Sequence, residues 1–175
     1  MSTRGHVAIK ENGKYRYIYN HHDSYIDGLG ITLFQYYKDG GEKVRALINL
    51  GDTGSIGVSI ENDAESYEEH LNRPLDKRGT VSIIRESKRW KYFRDADTED
   101  CVPFETEDID EVLGQDYTYI FDVEENKWYM AYWNDKYRLR DLEEVLHSKE
   151  LLEKLFSGVY VKDYLPEFYE KCLNA

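Results

Sequence analysis

Alternating apolar and polar residues mark two regions of the chain as β-hairpins. Residues 6–10 and 14–20 alternate in this way, and Asn12-Gly13 between them is a strong turn signal because both turn positions require a positive φ angle. Residues 117–121 and 128–132 form a second alternating pair around a polar turn. In the first hairpin the alternation predicts one buried face that carries Val7, Ile9, Tyr17 and Tyr19.

Four other segments show the helical spacing of apolar residues: 29–37, 42–51, 106–114 and 139–174. Thr106 is predicted to cap the third of these helices. Residues 61–72 are acidic and fit either a helix or a solvated insertion, and residues 80–95 return to strand character. Hairpins that are separated from helical segments predict an α+β fold. We expect a single domain over residues 1–175, with helices packed on an antiparallel sheet built from hairpins.

Length and cysteine content narrow the class of protein. A chain of 175 residues is one domain by the usual size prior, and it buries enough surface to need no disulfide or metal. The chain has no run of 18 apolar residues, so no membrane span is predicted. Cys101 and Cys172 form neither a disulfide framework nor a zinc pattern, which favours a reducing cytoplasm. We predict no cofactor and no bound metal.

The net charge of −12 argues against broad binding of duplex nucleic acid, because such proteins carry a basic stripe. Two explanations of the acidity remain. One is the solubility of a folded domain, and the other is a surface that competes for a basic groove on a partner. Sixteen tyrosines fit the second explanation, since tyrosine combines a large contact area with a polar tip at interfaces. Tyrosine also suits strands, so both explanations stay open.

The stretch NHHDSYIDG, which follows the first hairpin, concentrates groups that carry chemistry. On a continued strand, His21 and Asp23 share a face at the mouth of a cleft and His22 points elsewhere. A carboxylate beside an imidazole orients the ring and raises its basicity, as in a general base. The same residues also fit the start of a metal site, although no HxxxH or HExxH spacing supports one, or a polar turn that ends the strand.

The Asn12-Gly13 turn places residues 4–6 opposite residues 19–21. The predicted catalytic set is therefore Arg4, His21, Asp23 and Tyr25, with Tyr19 and His22 as substrate contacts. This set fits a phosphate or nucleotide site, and it equally fits a structural salt-bridge network. A different alternative is Ser2, which becomes an N-terminal nucleophile if Met1 is removed.

Residues 88–95, KRWKYFRD, form the only concentrated basic stretch of the chain. Basic residues interleaved with aromatic ones hold a nucleic-acid backbone and stack on bases. This pattern adds three candidate substrate contacts, which are Lys88, Arg89 and Trp90. The alternation favours a simpler interpretation, a sheet strand with aromatic side chains inside and Lys and Arg side chains outside.

The N-terminal third of the chain, from Ser2 to about Gly57, resembles a group of small proteins from phages and Gram-positive bacteria. Their approximate pattern is Ser/Cys-Thr-Arg, a tyrosine, His-x-Asp-Gly-Tyr-Pro, a glycine pair and a Leu-Gly-Asp loop. Two positions depart from it, with Ser24 in place of glycine and Ile26 in place of proline. The matching positions are Ser2, Thr3, Arg4, Tyr19, His21, Asp23, Tyr25, Gly28 and Gly30.

The phage and mobile-element setting of this group implies an anti-defence role, including inhibition of CRISPR effectors. The expected function is inhibition of a host nucleic-acid-handling complex in the host cytoplasm. The protein would bind the host protein or ribonucleoprotein, or it would cleave the guide RNA. The alternative expectation is a small cytosolic hydrolase or nucleotide-handling enzyme that uses His21, Asp23 and Arg4.

Overall fold

The computed structural model describes residues 3–90, apart from the Lys88 side chain, and residues 101–175. Both predicted hairpins are present, and they supply the four longest strands of this part of the chain. Its strands are β1 (Gly5–Glu11), β2 (Lys14–Asn20), β3 (Thr53–Ser55), β4 (Val81–Ser82), β5 (Phe104–Thr106), β6 (Tyr117–Asp122), β7 (Lys127–Tyr132) and β8 (Arg140–Asp141).

The eight strands within residues 3–90 and 101–175 join one mixed sheet. Its order is β4-β3-β2-β1-β6-β7-β8, and β5 also pairs with β2. The hairpins β1–β2 and β6–β7 are antiparallel, whereas β1 pairs with β6, and β2 with β3, in parallel. The α+β class and the hairpin origin of the sheet are confirmed, and the parallel pairings make the sheet mixed where an antiparallel one was expected.

The register of the first hairpin corrects the predicted buried face. Asn12 and Gly13 have φ angles of 53° and 74°, as the predicted turn requires, and Glu11 pairs with Lys14. This register sets Val7 opposite Ile18, and both side chains lie in the main core. Tyr17 and Tyr19 pair with Ala8 and His6 and therefore lie on the other face of the sheet. The prediction that Tyr17 and Tyr19 share a face with Val7 and Ile9 is wrong.

In the described part of the chain, eight α-helices pack on the sheet. The main core joins one face of β1, β2, β6 and β7 to the helices that precede β3 and to those of the C-terminal region. A smaller cluster on the other face joins Ala8 and Ile120 to Val112. The helices are α1 (Ile31–Tyr36), α2 (Glu42–Asn49), α3 (Tyr67–Asn72), α4 (Ile83–Arg89), α5 (Ile109–Val112), α6 (Leu142–Leu146), α7 (Lys149–Phe156) and α8 (Leu165–Leu173).

Residues 83–89 form the helix α4, so the strand predicted over this region is wrong beyond the two residues of β4. Ser82 begins the helix, because its hydroxyl accepts a hydrogen bond from the backbone N–H of Arg85 at 3.3 Å. The remainder of the predicted strand, residues 91–95, lies outside the described residues. The expected cap of α5 also differs: Asp108 caps the helix, and Thr106 belongs to β5.

Among the described residues, none of the helices combines the length and the apolar character that crossing a membrane requires.

Candidate functional site

The loop that carries the predicted site begins where β2 ends, at Asn20. The backbone N–H groups of His21 and His22 donate to the carbonyls of Thr53 and Gly54 at 3.0 and 2.9 Å, so the loop extends along β3. The buried Asn20 side chain donates to the His22 carbonyl and to the Ser24 hydroxyl, at 2.8 and 2.9 Å. These bonds fix the loop before it enters a single π-helical turn at Ile26–Gly30.

Gly5 allows this loop to pack closely on the first strand. A Cβ atom at position 5 would lie 2.7 Å from the Ser24 hydroxyl oxygen, a shorter distance than Cβ atoms show in real structures. Any larger residue at this position would therefore displace Ser24 and, through Asn20, the neighbouring histidines.

Arg4, Tyr19 and His21 come together as the hairpin register predicts. The Arg4 Nη1 atom donates to the His21 carbonyl at 2.7 Å, and the Tyr19 hydroxyl lies 2.9 Å from His21 Nδ1. Burial, and then the charges of Arg4 and His22, lower the pKa of His21. The His21 imidazole is therefore neutral at pH 7, and the tyrosine hydroxyl fixes the direction of its ring.

These side chains continue a line of aromatic rings along β2, which we name the ring row: Phe104, Tyr17, His6, Tyr19 and His21. Successive ring centroids are 5.2, 5.1, 6.5 and 5.8 Å apart. Phe104 is 50% exposed, and the other four members are partly exposed. The ring row therefore offers aromatic surface to a partner on the face of the sheet opposite the main core.

Exposed carboxylates flank the ring row. We name as the acidic edge four exposed acids of α5 and of the residues before it: Glu107, Asp108, Asp110 and Glu111. Glu105 of β5 pairs with Arg16 and therefore points to the face of the sheet away from Phe104 and Tyr17. Burial raises the pKa of Tyr17, and the charge of Glu111 raises it further. Burial also raises the pKa of Tyr19, the charge of Arg4 lowers it, and the charges of Asp52 and Asp116 raise it. The ring row thus has a carboxylate beside Tyr17, and both carboxylates and the Arg4 guanidinium beside Tyr19.

Asp23 and His22 lie elsewhere, on the wall of a cleft of about 530 Å³. The other walls come from α1, from residues 54–58, from α3 and the residues that follow it, and from Lys171 on α8. Asp23 is exposed and has a φ angle of 57°, so the chain leaves the strand conformation here. The prediction that His21 and Asp23 share strand parity is wrong, because β2 ends at Asn20, and it is His22 that lines the cleft with Asp23.

Tyr25 packs on the core side of the sheet. Its ring lies 6.2 Å from the ring of Tyr117 and 6.1 Å from that of Tyr160, measured between centroids. The structure thus brings together Arg4, Tyr19 and His21 and places Tyr25 in a different environment. Ser2, the other predicted nucleophile, lies outside the described residues.

Arg89 and Trp90, two of the three predicted nucleic-acid contacts, are used within the protein. Arg89 donates to the carbonyls of Asn62 and Asp63 at 2.6 and 3.2 Å. Trp90 is only 4% exposed and lies 5.7 Å from the His70 ring, so its faces are covered in this conformation. The Lys88 backbone belongs to α4, and its side chain lies outside the described residues.

The register counted from the Asn12-Gly13 turn predicts that His6 approaches Tyr19, and the structure confirms this pairing. Sequence reasoning missed Phe104 as a member of the ring row. The pairing of Phe104 with Tyr17 joins distant segments and has no local signal. Within the described residues, no group of three His, Cys, Asp or Glu side chains is arranged to hold a metal ion.

Comparisons with protein-family models, with curated proteins and with solved structures find no match to this chain. The resemblance of the N-terminal third to phage proteins therefore stays an expectation. The functional proposals below rest on the geometry of the ring row, the acidic edge and the cleft.

Proposed function

We propose that the protein is an anti-defence protein of a phage or mobile element, which inhibits a host nucleic-acid-handling complex such as a CRISPR effector nuclease. The observation that carries this proposal is the ring row beside the acidic edge, where the charge of Glu111 acts on Tyr17 and aromatic faces adjoin carboxylates. Because the target would be a ribonucleoprotein that handles its guide RNA in the host cytoplasm, we place the protein there.

The physical basis of the inhibition is competition for a basic groove. Arginine side chains that hold RNA phosphates also stack on aromatic faces and pair with carboxylates. The ring row and the acidic edge supply both kinds of contact, and the net charge of −12 steers the protein toward positive surfaces. Inhibition by this route is stoichiometric and leaves the guide RNA intact.

Charge reversal on the acidic edge tests this mechanism. We expect the double variant Glu107→Lys/Glu111→Lys to inhibit about tenfold more weakly than the natural protein, because two exposed ion pairs contribute about 1.4 kcal/mol together. The measurement is target cleavage by a purified guide-loaded effector of the host, titrated with each protein at 0.05 and 0.3 M salt. Higher salt is expected to weaken the natural protein more than the variant.

The matched control is Glu124→Lys/Glu170→Lys, which changes the net charge equally at two exposed sites outside the acidic edge. An equal loss of inhibition in both double variants would mean that only the total charge matters. Full inhibition by both variants would exclude the acidic edge from the mechanism. Phe104→Ser, which truncates an exposed ring, is expected to weaken inhibition without a change in salt dependence.

A second candidate is catalysis by the Arg4–Tyr19–His21 group, either as RNA cleavage or as another reaction of a hydrolase or nucleotide-handling enzyme. The observation that favours it is the 2.9 Å contact between the Tyr19 hydroxyl and His21 Nδ1, which orients an imidazole whose pKa is lowered by burial. The same titration separates the two candidates on a denaturing gel. Cleaved guide RNA at substoichiometric protein, lost in His21→Ala but kept in His147→Ala, would establish catalysis in place of binding.

A further inference from the structure

The cleft is a second feature of the molecule, and the proposed inhibition does not use it. Residues 54–58 form one of its walls. At one end the Gly54 carbonyl accepts from the His22 N–H at 2.9 Å, and at the other end the Val58 N–H donates to the Arg78 carbonyl at 2.9 Å. The cleft therefore extends from the loop after β2 to the region that follows α3.

The end of the cleft at the loop is polar. His22, Asp23 and Lys171 line it, and Lys171 reaches it from α8. The Lys171 side chain is exposed, and no carboxylate in the described part of the chain lies within ion-pair distance of it. Asp27, also on this wall, is occupied, because its carboxylate accepts hydrogen bonds from the hydroxyls of Tyr160 and Tyr164. A cation that faces a cleft and has no ion-pair partner among the described residues suits an anionic ligand group.

The opposite end of the cleft combines apolar and aromatic side chains with the polar side chains of His70 and Asp76. Tyr67, Leu71 and Leu75 line it, and Leu71 and Leu75 are 46% and 68% exposed. Arg78 also lines this end, but its guanidinium already donates to the carbonyls of Arg73 and Leu71 at 2.9 and 2.6 Å. Large exposed apolar side chains beside a cleft fit the flat faces of a ring.

We infer that the cleft binds a nucleoside monophosphate, with its base between the apolar side chains of α3 and Leu75 and its phosphate at Lys171. The volume of about 530 Å³ lies in the range of small-molecule sites. Phosphate alone would leave the apolar end unused, and an apolar ligand would leave the charged end unused. Asp23, as an exposed carboxylate on the same wall, is an acceptor for ribose hydroxyls.

Calorimetric titration with four nucleoside 5′-monophosphates, the matching nucleosides and inorganic phosphate tests this inference. We expect at least one monophosphate to bind more tightly than its nucleoside, and inorganic phosphate to bind weakest. Lys171→Gln is expected to weaken the monophosphate roughly fivefold and to leave the nucleoside unchanged. Leu75→Ser is expected to weaken both ligands to the same degree, because it removes apolar contact with the base.

Two control variants carry the same substitutions at exposed positions outside the cleft lining. Lys162→Gln and Val161→Ser lie between α7 and α8, and both are expected to bind like the natural protein. No binding of any probe, equal binding of monophosphate and nucleoside, or an unchanged Lys171→Gln variant would each overturn the inference. Because the effector assay uses other surfaces, failure here leaves the proposed inhibition unaffected.

Discussion

Asp27 is a buried carboxylate whose charge is compensated by tyrosine hydroxyls. It is 7% exposed and accepts from Tyr160 at 3.1 Å and from Tyr164 at 2.6 Å. Both tyrosines belong to the segment between α7 and α8, whereas Asp27 lies in the π-helical turn after the β2 loop. One side chain thus joins the C-terminal region to the loop that carries His22 and Asp23.

Removal of one of these hydroxyls tests how much the hydrogen bonds to Asp27 stabilise the protein. Tyr164→Phe is expected to lower the free energy of unfolding by about 1.5 to 3 kcal/mol, because it leaves a buried carboxylate one hydrogen bond short. Tyr169→Phe, on the adjacent turn of α8, is the control and is expected to change it by less than about 0.5 kcal/mol. Urea denaturation of both variants provides the measurement. Equal free energies of unfolding for the two variants would show that the hydrogen bond from Tyr164 to Asp27 does not stabilise the protein.

Individual contacts in the first hairpin were predictable where the turn alone decides them. The proximity of Arg4 to His21 follows from the Asn12-Gly13 turn. Pairing residues outward from the same turn sets Tyr17 beside Ala8. This register places Tyr17 and Tyr19 on the face of the sheet away from the main core. Asp23 was misplaced because the bonds that hold residues 21 and 22 along β3 come from Thr53 and Gly54, which are distant in the sequence.

At the scale of elements, α4 shows how tertiary context overrides a local pattern. Residues 81–84 are β-branched or small and suit a strand, yet only Val81 and Ser82 pair with β3. Ser82 ends the strand and begins the helix, because its hydroxyl accepts from Arg85 N–H and donates to the Leu50 carbonyl at 3.1 Å. A serine at this position is a weak helix-start signal by itself, and its bond to Leu50 has no signal in the local sequence.

Ser82→Ala is therefore expected to destabilise the protein by about 1 to 2 kcal/mol, since it removes a helix cap and leaves the Leu50 carbonyl without this donor. The control is Ser87→Ala on the same helix. The Ser87 hydroxyl bonds back to the Ile84 carbonyl, and its loss is expected to cost less than about 0.5 kcal/mol. Thermal and urea denaturation measure both variants. A Ser82→Ala protein as stable as the control would contradict the capping role.

At the scale of the whole molecule, three histidines make the stability of the fold depend on pH. Burial is the largest cause that lowers the pKa of His6, His21 and His70, so the folded protein binds fewer protons at these sites than the unfolded chain. Their contribution to stability is complete above the ordinary pKa of 6.5 and is lost as pH falls below it. For His70, the nearby charges of Arg78 and Arg73 add to the effect of burial.

His70→Phe isolates one of these contributions and keeps a ring in the buried position. The free energy of unfolding of the natural protein is expected to fall between pH 7.5 and pH 5.5, by at most about 1.4 kcal/mol for each histidine. The fall is expected to be smaller in the variant. Urea denaturation at both pH values gives the difference, and His147→Phe, at an exposed position, is the control. Equal pH dependence in all three proteins would exclude this role for His70.

The overall class of the fold was predictable because hairpins and helices have local signals, whereas the assembly of the sheet was not. The parallel pairing of β1 with β6 joins Gly5 to Tyr117, and no residue near either strand indicates it. The cleft was also unpredictable, because its walls come from five separated parts of the chain. The local sequence pattern therefore identified the loop after β2, which lines the cleft, but not the residues on the other walls of the cleft.

The β1–β6 pairing also bears on how the protein is made. Ribosomes add roughly 5 to 20 residues per second, so β1 emerges on the order of 10 s before β6 can pair with it. During that interval the first hairpin exposes the unpaired N–H and carbonyl groups of a strand that later lies at the centre of the sheet. Nascent chains that stall between the two strands would keep this edge open to pairing with one another.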